Sequence, residues 1–225
     1  ILTFFSSIKY TSQFVKCRQL SEHVCQPDRN YLHSDLRKAK MNIETERKYK
    51  LSVKRHDEIV QKLAELGAAF DKEVFEVNYQ HRGGEMDERG ATLRLRKIGD
   101  FTVLTYKEKI KTDDSAKHKI EYETTVGDVD ATERIIERLG YRLTAVYEKR
   151  RKYWRLDDVE VVMDELPFGL YMEIEGTVEA IEAAESNLGL KELEREPRGY
   201  PRLTIKYGKT IDGVAVAKFE RTAAV

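Results

Sequence analysis

From Ile43 onward the chain alternates apolar and polar positions in short segments, with helical stretches between them. Because successive side chains of a strand point to opposite faces, this period of two predicts β-strands. We predict strands near residues 43–50, 73–80, 91–97, 101–109, 118–127, 144–155, 158–164 and 170–177. So many strands leave exposed edges unless the sheet closes. The pattern therefore predicts an α+β fold built on an eight-stranded antiparallel β-barrel with flanking helices.

Three segments have the spacing of amphipathic helices and end at a glycine, as helices commonly do. The first has Ile59 and Leu63 on one face and ends before Gly67. Beyond Pro197 the pattern is weaker and allows one short helix over Leu203–Tyr207. The three predicted helices cover about residues 56–66, 131–139 and 178–188.

Residues 1–40 show no sustained period, and the strongly patterned segment opens at Met41. We interpret residues 1–40 as an N-terminal extension, residues 41–210 as the domain and residues 211–225 as a C-terminal tail. Cys17 and Cys25 both lie in the extension, so the domain needs neither a disulfide nor a thiolate metal site. No apolar run approaches the roughly 20 residues that span a bilayer. We expect a cytoplasmic protein without membrane contact.

Charged side chains recur two residues apart on the predicted strands, so that each pair shares one face. On the first strand Glu44, Glu46 and Lys48 share a face, and Arg47 lies on the other. A sheet whose charged face served only solubility would mix signs, because like charges side by side repel. The same-sign pairs therefore favour an inward charged face and a highly charged ligand. Further pairs and neighbours are Arg94 and Arg96, Thr105 and Lys107, Glu121 and Glu123, Lys149 and Arg151, and Glu173 and Glu175.

The overall charge is balanced, with 40 Lys and Arg against 40 Asp and Glu. A protein that binds nucleic acid through phosphate neutralisation normally has a basic excess, so the balance argues against that class. Cations inside a barrel are costly to desolvate unless anions neutralise them, and phosphates are suitable anions. The carboxylates would repel phosphates unless divalent cations lay between them. Mg²⁺ or Mn²⁺ is the expected cofactor.

The segment Glu44-Thr45-Glu46-Arg47-Lys48 matches the ExExK signature of the CYTH superfamily. This superfamily includes thiamine triphosphatases, inorganic triphosphatases and class IV adenylyl cyclases. The chain resembles it from about residue 42 to residue 207. The later motifs appear in order as Leu93-Arg94-Leu95-Arg96, Leu104-Thr105-Tyr106-Lys107, Glu121-Tyr122-Glu123, Lys149-Arg150-Arg151, Met163-Asp164-Glu165 and Met172-Glu173-Ile174-Glu175.

The resemblance implies an eight-stranded triphosphate tunnel and assigns roles to its charged residues. It implies that the divalent metal is bound by Glu44, Glu46, Glu173 and Glu175. Supporting carboxylates would be Glu121, Glu123 and Asp164. The triphosphate would be bound by six cations that we call the clamp, namely Lys48, Arg94, Arg96, Lys107, Lys149 and Arg151. The catalytic roles would fall to Lys48, Lys107 and Arg151.

Two segments depart from the family pattern. Many members end the second strand with paired aromatics and an aspartate, where this chain has His81 before Gly83-Gly84. We expect His81 to be an exposed loop residue and the two glycines to form a turn. Near the C-terminus a Ser-Tyr pair is replaced by Gly199-Tyr200, to which we assign no catalytic role.

Three functions remain open. The first is metal-dependent hydrolysis of a triphosphate-bearing small molecule, with a nucleoside, thiamine or inorganic triphosphate as substrate. The alternative is a class IV adenylyl cyclase, which would use the same tunnel to convert ATP to cyclic AMP and pyrophosphate. The third is a non-catalytic module that binds polyphosphate or nucleotides. Whether the protein forms a homodimer is left open.

Overall fold

The computed structural model describes residues 43–110 and 117–220. The expected extension over residues 1–40 lies outside the described residues. Within those residues the helices are α1 (Val53–Glu65), α2 (Gly84–Arg89), α3 (Val129–Arg138), α4 (Val178–Asn187) and α5 (Tyr200–Tyr207). The strands are β1 (Ile43–Leu51), β2 (Ala69–Arg82), β3 (Ala91–Ile98), β4 (Phe101–Ile110), β5 (Lys117–Thr125), β6 (Arg142–Leu156), β7 (Val159–Leu166), β8 (Gly169–Glu175), β9 (Lys209–Ile211) and β10 (Val214–Ala217).

Strands β1 to β8 close into an antiparallel barrel. Their order is β2-β3-β4-β5-β1-β8-β7-β6, and β6 returns to pair with β2. This closing seam runs from Ala69 opposite Arg155 to Arg82 opposite Arg142. The eight-stranded barrel expected from the pattern is confirmed, and each of the eight strands falls close to its predicted position.

The long strand β6 has two partners along one of its edges. Residues 150–156 pair with β7, whereas Ala145, Val146 and Tyr147 pair in parallel with β10. Strand β10 also pairs with β9 in a hairpin. The range interpreted as a tail therefore contains a strand of the sheet, and the Phe219 amide donates to Glu148 Oε2 over 2.8 Å.

The largest apolar core lies outside the barrel, between its wall and helices α1 and α4. Ile59 and Leu63 of α1 and Ile181 of α4 are fully buried there against Met172 and Ile174 of β8. Ser52 caps α1 by accepting from the Arg55 amide, and Thr177 caps α4 by accepting from the Ala180 amide. Because the outer face of the barrel makes the apolar contacts, its inner face is left for charged side chains.

The sequence predicts that His81 is an exposed loop residue, and the structure contradicts this prediction. Strand β2 continues to Arg82, and the His81 side chain is fully buried, with Nε2 3.9 Å from Glu133 Oε1 of α3. Burial lowers the pKa of His81. The prediction was wrong because it ended β2 too early. Gly84 begins the short helix α2, which the pattern did not predict.

We predict that replacing Gly208 by alanine lowers the melting temperature. Gly208 connects α5 to β9, and an added Cβ would lie 2.6 Å from the Val216 carbonyl oxygen and 2.7 Å from that of Thr204. Both oxygens belong to the backbone, so the steric clash can be removed only if the β9–β10 hairpin moves away from α5. Overpacking of this kind costs about 1–3 kcal/mol, measurable by thermal or urea unfolding.

Gly127→Ala is the matched control, because a Cβ at Gly127 meets nothing within 4 Å and its φ is not positive. Equal stability of the two variants would show that the β9–β10 hairpin is not held against the barrel as the structure has it.

Candidate functional site

The barrel encloses a cavity of about 570 Å³ whose wall is dominated by charged side chains. All the site residues predicted from the sequence line it except Asp164, which lies fully buried behind the wall. The predicted residues in the lining are Glu44, Glu46, Lys48, Arg94, Arg96, Lys107, Glu121, Glu123, Lys149, Arg151, Glu173 and Glu175.

Strand alternation decides which side chains enter the cavity. On β1, Glu46 and Lys48 face inward, whereas Arg47 between them faces α4 and pairs with Glu185 Oε2 at 2.7 Å. On β5, Lys117 and Lys119 line the cavity, and the Nδ1 atom of His118 lies 2.8 Å from Thr45 Oγ1 on the other face. The division into inner and outer faces that was read from the sequence therefore holds on β1.

Three glutamates from two adjacent strands form an acidic cluster. Ligand oxygens of Glu44, Glu46 and Glu175 lie within 4.8 Å of one another. Burial and the neighbouring Glu44 raise the pKa of Glu175 to about 8. For Glu44, burial alone would raise the pKa, but Lys119 and Lys107 lower it below its usual range. Carboxylate oxygens gathered in this way suit a hard divalent cation, which would relieve their repulsion.

Glu173 is not part of this acidic cluster. Its Oε1 lies 2.9 Å from Lys48 Nζ, and its Oε2 contacts Arg151. Burial opposes ionisation of Glu173, but Lys48 and Arg151 hold its pKa well below the usual range. In this structure Glu173 therefore acts as the counter-charge of two predicted clamp cations.

Arg151 and Lys149 of β6 are held by buried carboxylates. Arg151 donates from Nε and Nη2 to the two oxygens of Asp164, over 2.7 and 2.6 Å. Lys149 Nζ lies 3.3 Å from Glu76 Oε2 and 3.4 Å from Asp164 Oδ1. Burial and the adjacent Arg151 lower the pKa of Lys149. The bidentate contact fixes the plane of the Arg151 guanidinium.

Strands β3 and β4 carry Arg94, Arg96 and Lys107. Arg96 Nη2 donates to Glu123 Oε1 over 2.9 Å, and Arg94 Nη2 lies 3.6 Å from the same oxygen. Lys107 Nζ lies 2.9 Å from Glu44 Oε2 and 2.6 Å from Glu121 Oε2. The buried Nε atoms of Arg94 and Arg96 have no hydrogen-bond partner among the residues described. Both arginine side chains line the cavity, where an anion can contact them.

The sequence patterns did not identify several residues of the site. Lys117 and Lys119 continue the inward face of Glu121 and Glu123 along β5, so extending that alternation would have found them. Glu76 shares its face of β2 with Asn78 and Gln80, but it has no like charge two residues away, which was the signal used on the other strands. Burial alone would raise the pKa of Glu76, but Lys149 and Arg151 lower it to about 2.

Tyr200, at the start of α5, closes part of the cavity and orders its neighbours. Its hydroxyl donates to Asp164 Oδ2 over 2.5 Å, and Lys48 Nζ lies 3.5 Å from the centre of its ring. The ring therefore offers Lys48 a cation–π contact. Burial and the Asp164 charge raise the pKa of Tyr200 well above its usual value, so it is a hydrogen-bond donor. Tyr200 thus connects the positions of Lys48 and Asp164.

A closed antiparallel barrel lined by an acidic cluster and by arginines and lysines offers ligands for a divalent cation and donors for a polyanion. The sequence profile of the CYTH domain matches residues 42–200. The chain belongs to the CYTH family. Members of this family bind triphosphates and depend on divalent metals.

Known proteins resemble this chain along most of their length. The "Putative adenylate cyclase MJ0240" of Methanocaldococcus jannaschii is 31% identical over 143 residues, which are 62% of this chain and 79% of that protein. The structure of the PH1012 protein from Pyrococcus horikoshii OT3 is 26% identical, with a TM-score of 0.62 over 71% of this chain and 98% of the other. A Hippeastrum protein, described as a putative adenylyl cyclase with a dominant triphosphatase activity, shares the fold at 17% identity and a TM-score of 0.56, over 76% of this chain and 97% of the other.

The helices offer no candidate for a membrane span. Over the part of the chain that the structure describes, none combines the length and apolar character that crossing a bilayer requires.

We predict that Glu175→Gln stabilises the metal-free protein in a pH-dependent way. Folding raises the pKa of Glu175 from 4.5 to about 8, so ionisation of this carboxyl costs stability increasingly as the pH rises between these values. Glutamine removes that cost. In EDTA, the gain in melting temperature should be absent at pH 4, grow with pH and level off above about pH 8.

In the presence of Mn²⁺ the difference in melting temperature between Glu175→Gln and the unaltered protein should reverse its sign. The variant lacks one carboxylate of the acidic cluster and should therefore bind the metal less tightly. Mn²⁺ should raise the melting temperature of the unaltered protein more than that of Glu175→Gln. Glu160→Gln is the control, since Glu160 lines the cavity directly opposite Glu175 on β7 but lies outside the cluster. The same response in both variants would count against a metal site at Glu175.

Proposed function

We propose that this protein is a divalent-metal-dependent triphosphatase, which hydrolyses a nucleoside, thiamine or inorganic triphosphate inside the barrel. The observation that carries the proposal is the pair of buried Nε donors of Arg94 and Arg96. These two Nε atoms lack partners, whereas the charged ends of Lys48, Lys107, Lys149 and Arg151 in the same cavity are each paired with a carboxylate. A buried donor without a partner costs free energy, so these atoms are best explained by an anionic ligand.

The metal would be held by Glu44, Glu46 and Glu175. Glu173 lies two residues before Glu175 on β8, and it would bind the cation by giving up its ion pair with Lys48. Mg²⁺ or Mn²⁺ bound there would neutralise phosphate charge and act as a Lewis acid. Hard cations of this kind take carboxylate and phosphate oxygens together. The donor set of the acidic cluster, which contains oxygen alone, therefore fits either ion.

The cationic side chains would bind and orient the phosphates. Arg94 and Arg96 offer planar forks that match phosphate oxygens, whereas Lys48, Lys107 and Lys149 act as compact charges. Arg151 is fixed in orientation by Asp164 and lines the cavity. We assign Lys48, Lys107 and Arg151 to stabilising the charge that develops when water attacks the terminal phosphorus.

The second candidate is an adenylyl cyclase that forms cyclic AMP and pyrophosphate from ATP. The 31% identity to an archaeal protein with the name of an adenylate cyclase favours it. The same clamp serves both reactions, because each needs a bound triphosphate and a divalent metal. A purely binding module is the third candidate, and the acidic cluster argues against it, since three carboxylates oppose anion binding when no metal is bound.

Analysis of products separates these candidates. Purified protein is incubated with ATP or inorganic triphosphate, with Mg²⁺ or Mn²⁺, and the products are resolved by ion-exchange chromatography. A triphosphatase should release orthophosphate and should accept inorganic triphosphate. Cyclic AMP and pyrophosphate as main products, without turnover of inorganic triphosphate, would establish the cyclase instead. Binding of both compounds without any product would establish the binding module.

We predict that Arg94→Ala and Arg96→Ala each lower kcat/KM for the triphosphate substrate. Loss of one charge-assisted contact costs about 1.5–3 kcal/mol, which corresponds to roughly 10- to 150-fold. Glu123 loses a partner in either variant, but it is half exposed and stays hydrated.

Arg150→Ala is the matched control. Arg150 precedes Arg151 on β6, faces away from the cavity and pairs with Glu165 at 3.0 Å on the exposed surface. It should retain kcat/KM within about twofold, because exposed ion pairs contribute little. A comparable loss in all three variants would contradict the assignment of Arg94 and Arg96 to the phosphate site.

A further inference from the structure

The cations inside the cavity divide into a paired set and an unpaired set. Every predicted clamp cation has a carboxylate oxygen within 4.0 Å, among them Lys48 with Glu173 and Lys107 with Glu44. Lys109 and Arg202 line the same cavity, but neither has an ion-pair or hydrogen-bond partner within residues 43–110 and 117–220. Within these two ranges, their positive charge therefore has no carboxylate partner of the kind that the clamp cations have.

Lys109 and Arg202 lie near a third cation, Arg82, and we call these three residues the cationic mouth. They come from β4, α5 and β2, and all three line the cavity. Arg82 keeps one ion pair, from Nε to Asp87 Oδ1 at 2.7 Å. Partial burial lowers the pKa of Lys109, and repulsion from Arg202, Lys119 and Arg82 lowers it further. Three separate elements thus bring positive charge to one end of the cavity.

Local stability does not account for this arrangement. Arg202 lies in the first turn of α5, which contains no acidic residue, and a positive charge there opposes the helix dipole. Lys109 stands directly opposite Lys119 on the neighbouring strand, and like charges in that position destabilise a sheet. Both positions cost the folded protein free energy, and an anionic ligand would offset this cost.

The cationic mouth continues the clamp along the tunnel. Lys107 and Lys109 are two residues apart on β4 and both face the cavity, so their Cα atoms are about 6–7 Å apart along the strand. A phosphate chain bound at Lys107 reaches Lys109 by a short extension. The extension carries negative charge, whereas a nucleoside at the same place would not neutralise the mouth.

We propose that the cationic mouth binds a further phosphate of a linear chain, so that the tunnel prefers inorganic polyphosphates of four or more phosphates to triphosphate. This inference rests on the proposed function, since it takes the clamp to be a triphosphate site. The mouth adds affinity for the longer chain and leaves the contacts to the first three phosphates unchanged.

The test compares the binding of inorganic triphosphate and tetraphosphate by calorimetry in the presence of Ca²⁺, which takes carboxylate and phosphate oxygens as ligands. An orthophosphate assay checks that neither anion is hydrolysed during the measurement. The unaltered protein should bind tetraphosphate at least fivefold more tightly. In the double variant Lys109→Gln, Arg202→Gln this preference should fall below twofold, while the Kd for triphosphate changes less than twofold. Both side chains are exposed, so glutamine preserves the fold.

The control is Lys72→Gln, which removes a charge from an exposed, cavity-lining residue ten positions before Arg82 on β2. This variant should keep the full preference for tetraphosphate. Triphosphate binding without a preference for tetraphosphate in the unaltered protein would overturn this inference alone, as would equal losses for the two anions in the double variant. Failure to bind either anion, with or without Mg²⁺, would overturn the proposed function as well.

Discussion

Mutual neutralisation of the inward-facing charges is the constraint on which the rest of this structure depends. A closed antiparallel barrel turns every second side chain towards an interior with limited water, and here these side chains are ionic. Most of them find a counter-charge on a neighbouring strand, as Arg151 does in Asp164 and Lys107 does in Glu121. The register of the strands therefore also fixes which charges meet.

Buried ion pairs are a poor source of stability, because desolvation offsets much of their attraction. The barrel compensates by placing its apolar contacts on the outside, where α1 and α4 cover the wall. Folding and ligand binding thus use opposite faces of the same strands. Under the proposed function, a phosphate in the cavity would replace carboxylates as the partner of the clamp cations, which are already held in position by those carboxylates.

The strands and their inner faces could be predicted because alternation is a property of each strand by itself. The contacts between charged side chains of different strands could not be predicted, because they depend on the register in which the strands pair. The sequence groups Glu173 with Glu175, but closure places Glu173 beside Lys48 and leaves Glu175 with Glu44 and Glu46. Tyr200 belongs to a short helix whose position relative to the barrel leaves no local signal. For the same reason β10, a short apolar strand after a glycine, was taken for a tail.

The seam between β2 and β6 also decides how the chain reaches this structure. Its partners are far apart in sequence, with α2, β3, β4, β5 and α3 between them. Contacts of this kind raise the contact order of the fold, and high contact order slows folding. Until the seam closes, β2 and β6 each present an unpaired edge, and such edges recruit strands of other chains. Rapid dilution of the unfolded chain thus matters more for recovering this barrel than for a protein whose sheet forms from hairpins alone.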